Sequence, residues 1–216
     1  MIKTFHLQEL ITSFLIEPAN LEDMEWIARL EAELYRGNDV VPEEILKEWY
    51  AANPTGFFVM KTRNAERVGH IDILPVRPRT LQLFVEGALL ERDIRADSLY
   101  SPGERDSIRE LYIESLAICL PGRSKLAALL SLSSNLPYLV DRIAVLENIE
   151  SVYAMAATKP GERMMELLGF QIVRNGEWRK DGHPVFSVRF KMLMDNIARI
   201  RRDRLNRDAP ECLNKR

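Results

Sequence analysis

Two carboxylates, Glu110 and Glu114, stand four residues apart at the apolar run "LYIESLAICL" (111–120). The run contains β-branched residues and is typical of a central strand that is buried on both faces. Side chains four residues apart in a strand point to the same face, so we expect both carboxylates on one face. Either could act as a general base. Either could equally form a structural ion pair or face solvent near the strand end.

Three further side chains carry reactive groups. His70, in the strand-like run "VGHIDIL", has the intrinsic pKa of a base, but a single histidine in a strand more often makes a structural hydrogen bond. Cys119 could carry an acyl group, yet its apolar surroundings favour a buried structural cysteine. Glu86 lies in a stretch whose pattern does not fix its position.

A turn follows the apolar strand within "LAICLPGRSKLAALL" (116–130). The apolar run stops at Pro121-Gly122, passes Arg123-Ser124-Lys125, and resumes as a helical pattern. Exposed amides and the dipole at a helix N-terminus attract anions, so the turn could hold a phosphate group. It could equally be only a bend between a strand and a helix.

Composition narrows the class of protein. The chain has 216 residues, a net charge of -2 and 46% hydrophobic residues, enough for an ordinary core in one large or two small domains. It lacks a run of about eighteen apolar residues and a secretory signal, so we expect a soluble cytoplasmic protein with no membrane contact. Two distant cysteines, Cys119 and Cys212, and three scattered histidines match no zinc spacing, so we expect no metal site.

Charge is uneven along the chain. The near-neutral total argues against nucleic-acid binding by the body of the protein, but "IARIRRDRLNR" and the final "NKR" concentrate positive charge. We expect a solvated basic helix and tail there. Contact with a polyanion is the alternative.

The hydrophobic pattern predicts alternating elements with a hairpin near each end, which favours an α/β (α+β) fold. The first helix should bury one face that carries Leu21, Met24, Ile27, Leu30 and Leu34. A later helix, within "KPGERMMELLGF", should turn Met164, Leu167 and Leu168 inward. In order, we predict strand 14–18, helices from 21 and 42, strands 57–62 and 68–76, a partly helical insertion 77–108, strand 111–120, a helix from 124 interrupted near Pro137, strand 151–158, helix 159–168, and antiparallel strands 170–178 and 183–193.

Four of these stretches resemble the GNAT superfamily of N-acetyltransferases: "FLIEPANLEDMEWIARLEAELY", "GFFVMK" with "RVGHIDILPV", "LYIESLAICLPGRSKLAALL", and "ERMMELLGFQIV". In the last, Gly169 can end the helix in a left-handed conformation while Phe170 returns to the core. The resemblance implies a mixed, mostly antiparallel central sheet flanked by helices, with splayed central strands. It covers a domain at 1–193 with the 77–108 insertion, followed by the basic tail 194–216.

The resemblance also implies a cofactor, acetyl-CoA, bound in the cleft between the splayed strands. Its pantetheine arm would pair with the backbone of Leu116, Ala117 and Ile118. The residues implied for the pyrophosphate and the neighbouring strand end are Gly122, Arg123, Ser124, Lys125, Leu126 and Thr158. The glycines usual in this loop are absent here, where Pro121, Ser124 and Leu126 stand. We therefore expect Gly122, Arg123 and Lys125 to compensate by a shifted turn and direct charge.

The implied reaction moves an acetyl or other short acyl group to an amine of a small molecule or protein by direct attack in a ternary complex. Glu114, and next Glu110, would be the base. The family's usual tyrosine acid is replaced by Met165, which leaves Tyr153, Tyr112 or water. The alternative is a non-catalytic GNAT-fold acyl-CoA sensor or protein-interaction module. The closing strand pair and the insertion offer surfaces for a homodimer.

Overall fold

The structure, a computed structural model, describes residues 7–35 and 37–208, without the side chains of Gln8, Asn38 and Asp208. His6, Cys212 and residues 209–216 of the predicted tail lie outside the described residues. The helices are α1 (Leu7–Ile11), α2 (Leu21–Leu34), α3 (Glu43–Ala52), α4 (Pro78–Glu86), α5 (Gly122–Ile143), α6 (Lys159–Leu168) and α7 (Phe190–Asp208). The strands are β1 (Phe14–Pro18), β2 (Phe57–Thr62), β3 (Arg67–Leu74), β4 (Glu110–Ile118), β5 (Ser151–Met155), β6 (Gln171–Arg174) and β7 (Val185–Arg189).

The seven strands form one sheet in the order β1-β2-β3-β4-β5-β7-β6. Every neighbouring pair is antiparallel except β4 and β5, which run parallel. The long helix α5 makes the crossover that a parallel pair requires. The predicted fold class, a mixed and mostly antiparallel sheet flanked by helices, is confirmed.

Alternation along the strands gives the sheet two buried faces. On β2, Phe58 and Met60 belong to a core with α5, α6 and α7, whereas Phe57 and Val59 belong to a core with α2, α3 and α4. Both cores are closely packed, since all four of these side chains are at most 1% exposed. The sheet is therefore the middle of three layers, and polar groups on it must find partners inside the protein.

The central strands part in the middle of the sheet. Pairing between β4 and β5 begins at Glu110 with Ser151 and ends at Ile113 with Ala154. Strand β4 continues to Ile118, and the structure pairs this last stretch with β3 only. The predicted splay of the central strands is present, and it opens right after Ile113.

Glu114 occupies a β-bulge at the start of this opening. Asp72 of β3 pairs with Ser115, whereas the next residue, Ile73, pairs with Ile113. Glu114 is therefore the extra residue on β4, and such an insertion redirects side chains locally. As a result, Glu114 and Ser115 both reach the same pocket on the α2 side of the sheet.

Two helices orient differently from the sequence prediction. In α2, Leu21 and Leu34 are about half exposed, at 55% and 51%, because they are the terminal residues of the helix. In α6, Leu167 is exposed and Met165 is buried instead. Met165 and Leu168, three residues apart, face the core together, which turns Leu167 away from it.

Several predicted boundaries also differ, among them those of α5 and of the last strand. Helix α5 is not interrupted, because buried residues before and after Pro137, such as Leu136 and Leu139, fix both halves to one core. The last strand ends at Arg189, and α7 starts at Phe190 rather than after Leu193. Helix α7 is not simply solvated, since Leu193 and Ile197 are buried at helical spacing. The domain division at 193 stays a prediction.

The insertion 77–108 is partly helical, as predicted. It contains α4 and three short 3₁₀ segments, Glu91–Asp93, Ala96–Ser98 and Pro102–Ser107. Side chains of α3 and its C-cap hold it, because Trp49 Nε1 donates to the Ile94 carbonyl at 2.8 Å and Asn53 Nδ2 to that of Tyr100 at 2.7 Å. Among the described residues, no helix is long and apolar enough to cross a membrane.

Candidate active site

A small pocket, partly open to solvent, lies where β4 passes the end of its pairing with β5. It combines residues of the helix α2 region, the insertion and both central strands. Its lining is Glu31, Tyr35, Asp39, Glu91, Glu114, Ser115, Met155 and Ala157. Four of these eight residues carry carboxyl groups and none is lysine or arginine, so the pocket is strongly acidic.

The four carboxyl groups have different partners. Asp39 Oδ2 lies 3.0 Å from His183 Nε2, and Glu91 accepts a hydrogen bond from the Tyr112 hydroxyl. In contrast, Glu31 Oε1 and Glu114 Oε2 are buried and have no hydrogen-bond partner among the described residues. The groups facing the pocket without a partner are therefore the ones that a bound molecule would engage.

Burial dominates the titration of these acids. It raises the pKa of Glu114 well above the usual range, and the neighbouring Glu31 and Glu91 raise it further. Burial likewise raises the pKa of Glu31 to about 7 and that of Glu91 to about 8. A cation in the pocket would oppose this effect, because positive charge favours the ionised carboxylate.

Behind Glu31, two buried residues of β3 extend the polar cluster. His70 Nδ1 lies 3.1 Å from Asp72 Oδ2, and His70 Nε2 lies 3.8 Å from Glu31 Oε1. These side chains are at most 2% exposed. The sequence interpretation of His70 as a structural hydrogen-bonding residue agrees with its contact to Asp72.

The other predicted catalytic residues, Glu110 and Tyr153, lie at the paired end of β4 and β5 and do not line the pocket. They contact each other, since the Tyr153 hydroxyl donates to Glu110 Oε1 at 3.0 Å. Burial, followed by the nearby Glu110, raises the pKa of Tyr153 to about 12. Tyr112 is fully buried against Glu91. The structure thus separates Glu114 from the Glu110–Tyr153 pair.

The predicted pantetheine residues, Leu116, Ala117 and Ile118, occupy the part of β4 that pairs with β3 alone. Four residues after β4 ends, α5 begins at Gly122. Gly122 has a left-handed φ of +52°, and the preceding Pro121 provides no side-chain cap. The first turn of α5, which a ligand could therefore reach, contains the other predicted phosphate-loop residues, Arg123, Ser124, Lys125 and Leu126.

Thr158 has a local structural role. It is the N-cap of α6, and its hydroxyl accepts a hydrogen bond from the Gly161 amide at 3.1 Å. It follows β5 by three residues and is exposed. Its predicted cofactor contact stays a prediction.

Two further expectations need correction or completion. Cys119 is exposed, not buried, because β4 leaves the sheet at Ile118 and Cys119 begins the connection to α5. Glu86 is exposed on α4, where its carboxylate accepts a hydrogen bond from Gln82 Nε2 at 2.8 Å, and it does not line the pocket. The insertion contributes Glu91 to the pocket instead.

Sequence reasoning missed Glu31, Asp39 and Glu91. Glu31 had a signal, since it lies four residues after Ile27 and thus continues the apolar face of α2. An acid on a buried helix face needs a partner or a function. Glu91 and Asp39 belong to short irregular segments, and nothing local indicates which way such side chains point.

Of the comparisons with known proteins, only the one with solved structures finds matches. No protein-family model matches the chain, and a sequence comparison with curated proteins finds no match. Among solved structures, the loading GNATL domain of CurA from Lyngbya majuscula has a TM-score of 0.57 at 14% identity, with 82% of this chain and 98% of that chain covered.

Two more solved structures are similar in fold to this chain. The GNAT-like decarboxylase GphF, in complex with isobutyryl-CoA, has a TM-score of 0.55 at 16% identity, covering 81% of this chain and 98% of that one. A chimera of spermidine N-acetyltransferase SpeG from Vibrio cholerae and hSSAT has a TM-score of 0.51 at 13% identity, covering 85% and 99%. With its parted parallel strands and these likenesses, the chain has the GNAT fold.

Proposed function

We propose that the protein transfers an acetyl or other short acyl group from acyl-CoA to a cationic amine. The observation that carries the proposal is the acidic pocket at the point where β4 and β5 part, lined by four carboxyl residues without a basic one. An ammonium group is attracted to such a pocket. The spermidine N-acetyltransferase named above is in line with an amine acceptor.

The cofactor would lie along the unpaired edge of β4. The backbone of Leu116, Ala117 and Ile118 would pair with pantetheine, and the first turn of α5 and Thr158 would face the rest of the cofactor. The uncapped N-terminus of α5 supports the pyrophosphate position, because its dipole and amides favour an anion. The acyl-CoA in the structure of GphF is in line with such a cofactor.

In this proposal Glu114 accepts the proton of the amine. The entering ammonium group favours the ionised form of Glu114, which then takes one ammonium proton. The neutral nitrogen attacks the thioester carbon and the new C–N bond forms. The nitrogen then gives its second proton to water, and the C–S bond breaks with release of the CoA thiolate, which takes a proton from water. Glu110, as the second candidate base, and Tyr153, as a candidate acid, would act from the end where β4 and β5 are paired.

The charge of the pocket also discriminates among acyl groups. An acyl-CoA whose acyl group bears a free carboxylate would meet Glu31, Glu91 and Glu114 and no basic lining residue, so its charge would be left unpaired and its binding disfavoured. We therefore expect acyl-CoA substrates with uncharged acyl groups. The expected reaction is transfer of the acyl group to an amine, not loss of CO₂ from a carboxylated acyl-CoA.

Acetyl-CoA binding is tested first by isothermal titration. We expect binding that Lys125→Glu weakens, with Lys180→Glu, another exposed lysine outside the α5 turn, as the matched control. Failure of the unmodified protein to bind acetyl-CoA would exclude the proposed cofactor site.

Turnover is tested with acetyl-CoA and a panel of polyamines and primary amines, by release of free thiol. We expect Glu114→Gln to lower kcat by about 10²-fold or more, as loss of a general base does. Glu86→Gln, which alters an exposed carboxylate outside the pocket, should leave kcat unchanged. Cofactor binding without turnover on any amine would instead favour the non-catalytic sensor or interaction module.

A further inference from the structure

Three buried side chains from two elements meet behind the pocket: Glu31 of α2, and His70 and Asp72 of β3. One nitrogen or oxygen atom from each lies within 4.8 Å of the others. Glu31 lies 39 and 41 positions before His70 and Asp72 along the chain, so no local spacing connects it with them. Their exposed fractions are 1% for Glu31, 1% for His70 and 0% for Asp72.

Each of the three residues has an atom without a partner. Glu31 Oε1, His70 Nε2 and Asp72 Oδ1 are buried and form no hydrogen bond with any described residue. A buried polar atom in this state is costly unless something engages it. Three such atoms in one cluster are therefore hard to explain by packing alone.

The distances fit a shared ion better than a direct hydrogen bond. His70 Nε2 and Glu31 Oε1 are 3.8 Å apart, which is too long for a hydrogen bond. Zinc binds nitrogen and oxygen ligands at about 2.0–2.2 Å, so two ligands of one ion lie roughly 3–4 Å apart. Asp72 brings its own buried oxygen, Oδ1, to the same cluster, and Oδ1 has no hydrogen-bond partner among the described residues.

The charge of the three ligand side chains also favours a bound ion. Metal binding requires ionised carboxylates and a neutral imidazole, and this set carries a charge of about -2 that would be unfavourable in a buried site without the ion. A divalent ion would balance it. Glu31 also lines the pocket that opens to solvent, so an ion has a route to the cluster and water can complete its coordination.

We propose that Glu31, His70 and Asp72 bind a divalent transition-metal ion such as Zn²⁺. A mixed imidazole and carboxylate set suits this class of ion better than Mg²⁺ or Ca²⁺, which prefer oxygen ligands only. The ion would join α2 to β3 directly behind the pocket. This site does not depend on the proposed acyl transfer, and it differs from the sequence expectation of no metal site.

The test uses the full chain without an affinity tag, in a Cys119→Ser, Cys212→Ser background that removes thiols as competing ligands. The protein is treated with EDTA, titrated with ZnCl₂ by calorimetry, and its metal content is measured after gel filtration. Expected is one zinc ion per chain and a Tm that rises with zinc. Co²⁺ substitution should give visible ligand-field bands.

Glu31→Gln and His70→Ala should abolish stoichiometric binding, and Asp72→Asn should weaken it by about tenfold or more. The matched control is His183→Ala, which removes another carboxylate-paired histidine close to the pocket and should keep full binding. Far-UV circular dichroism of each variant shows whether it is folded, and the two isosteric amide variants remain informative if His70→Ala is not.

Three results would overturn the proposal. One is the absence of stoichiometric zinc in the unaltered cluster. Another is equal zinc affinity of folded Glu31→Gln and the parent. The third is loss of zinc on His183→Ala alone. None of these measurements uses acyl-CoA. A result that overturns the zinc site is therefore distinguishable from failure of the proposed transferase activity.

Discussion

Arg179 fixes the loop after β6 to the insertion, and we expect its removal to be strongly destabilising. Its side chain is 0% exposed and forms an ion pair with Asp181, whose side chain is 5% exposed. The guanidinium also donates to the carbonyls of Phe84 and Val85 and lies 4.6 Å from the centre of the Phe84 ring. Helix α4, which ends at Glu86, is held to the C-terminal half of the protein by these contacts.

The magnitude follows from burial. Arg179→Ala leaves Asp181 as a buried charge with its main partner gone, and breaking a buried pair from one side costs about 3–5 kcal/mol. For a chain of this size, that corresponds to a decrease in Tm of roughly 6–20 °C. Asp181→Asn should cost a similar amount, because it leaves the guanidinium uncompensated.

The pair is best measured as a double-mutant cycle by urea unfolding, followed by circular dichroism. Arg179→Ala combined with Asp181→Asn removes both charges, so the double variant should be clearly more stable than the sum of the single losses predicts. A loss below about 1 kcal/mol for Arg179→Ala, or strict additivity in the cycle, would refute the reasoning that the two charges stabilise each other in a buried site.

Three further outcomes are expected. Because burial raises the folded-state pKa of Glu91 from 4.5 to about 8, the folded protein keeps a proton there that the unfolded chain loses. Stability should therefore fall as pH rises through this window, and Glu91→Gln should flatten the fall in urea titrations at several pH values. In Gly69→Ala, the new Cβ would lie 2.5 Å from the Ala117 carbonyl oxygen, so strands β3 and β4 must shift, and thermal unfolding should show a loss of about 1–3 kcal/mol. Asn20→Ala removes the side-chain cap of the first turn of α2 and should cost about 1 kcal/mol by the same assay; an unchanged Tm would contradict the role of the cap.

Periodicity predicted most elements because it reports burial directly. Met24, Ile27 and Leu30 indicate α2 at helical spacing, and all three are buried. Gly169 was predicted to end α6 in a left-handed conformation, and it does so with φ of +88°. Where the chain passes from strand to helix without a turn residue, as at Phe190, the pattern is ambiguous and the boundary was misplaced.

The site was less predictable because it depends on long-range contacts. Glu114 was singled out from its strand, but its bulge depends on how β3 pairs with it, which no local pattern records. Glu91 reaches the pocket through an irregular insertion held by Trp49 and Asn53. The predicted burial of Cys119 was wrong, because apolar neighbours in the sequence do not fix where a strand leaves the sheet.

The short parallel contact of β4 with β5 has a consequence for how the chain assembles. Strands β1 to β4 form one antiparallel group, and β5, β7 and β6 form another, while four residue pairs join the two groups. Cleavage of the α5–β5 connection, between Ile143 and Ser151, leaves each group of strands in one piece with its own hydrogen-bonded ladders. This connection is therefore the natural position for a split-protein reporter, in which two separately expressed fragments recover the sheet by closing a single seam.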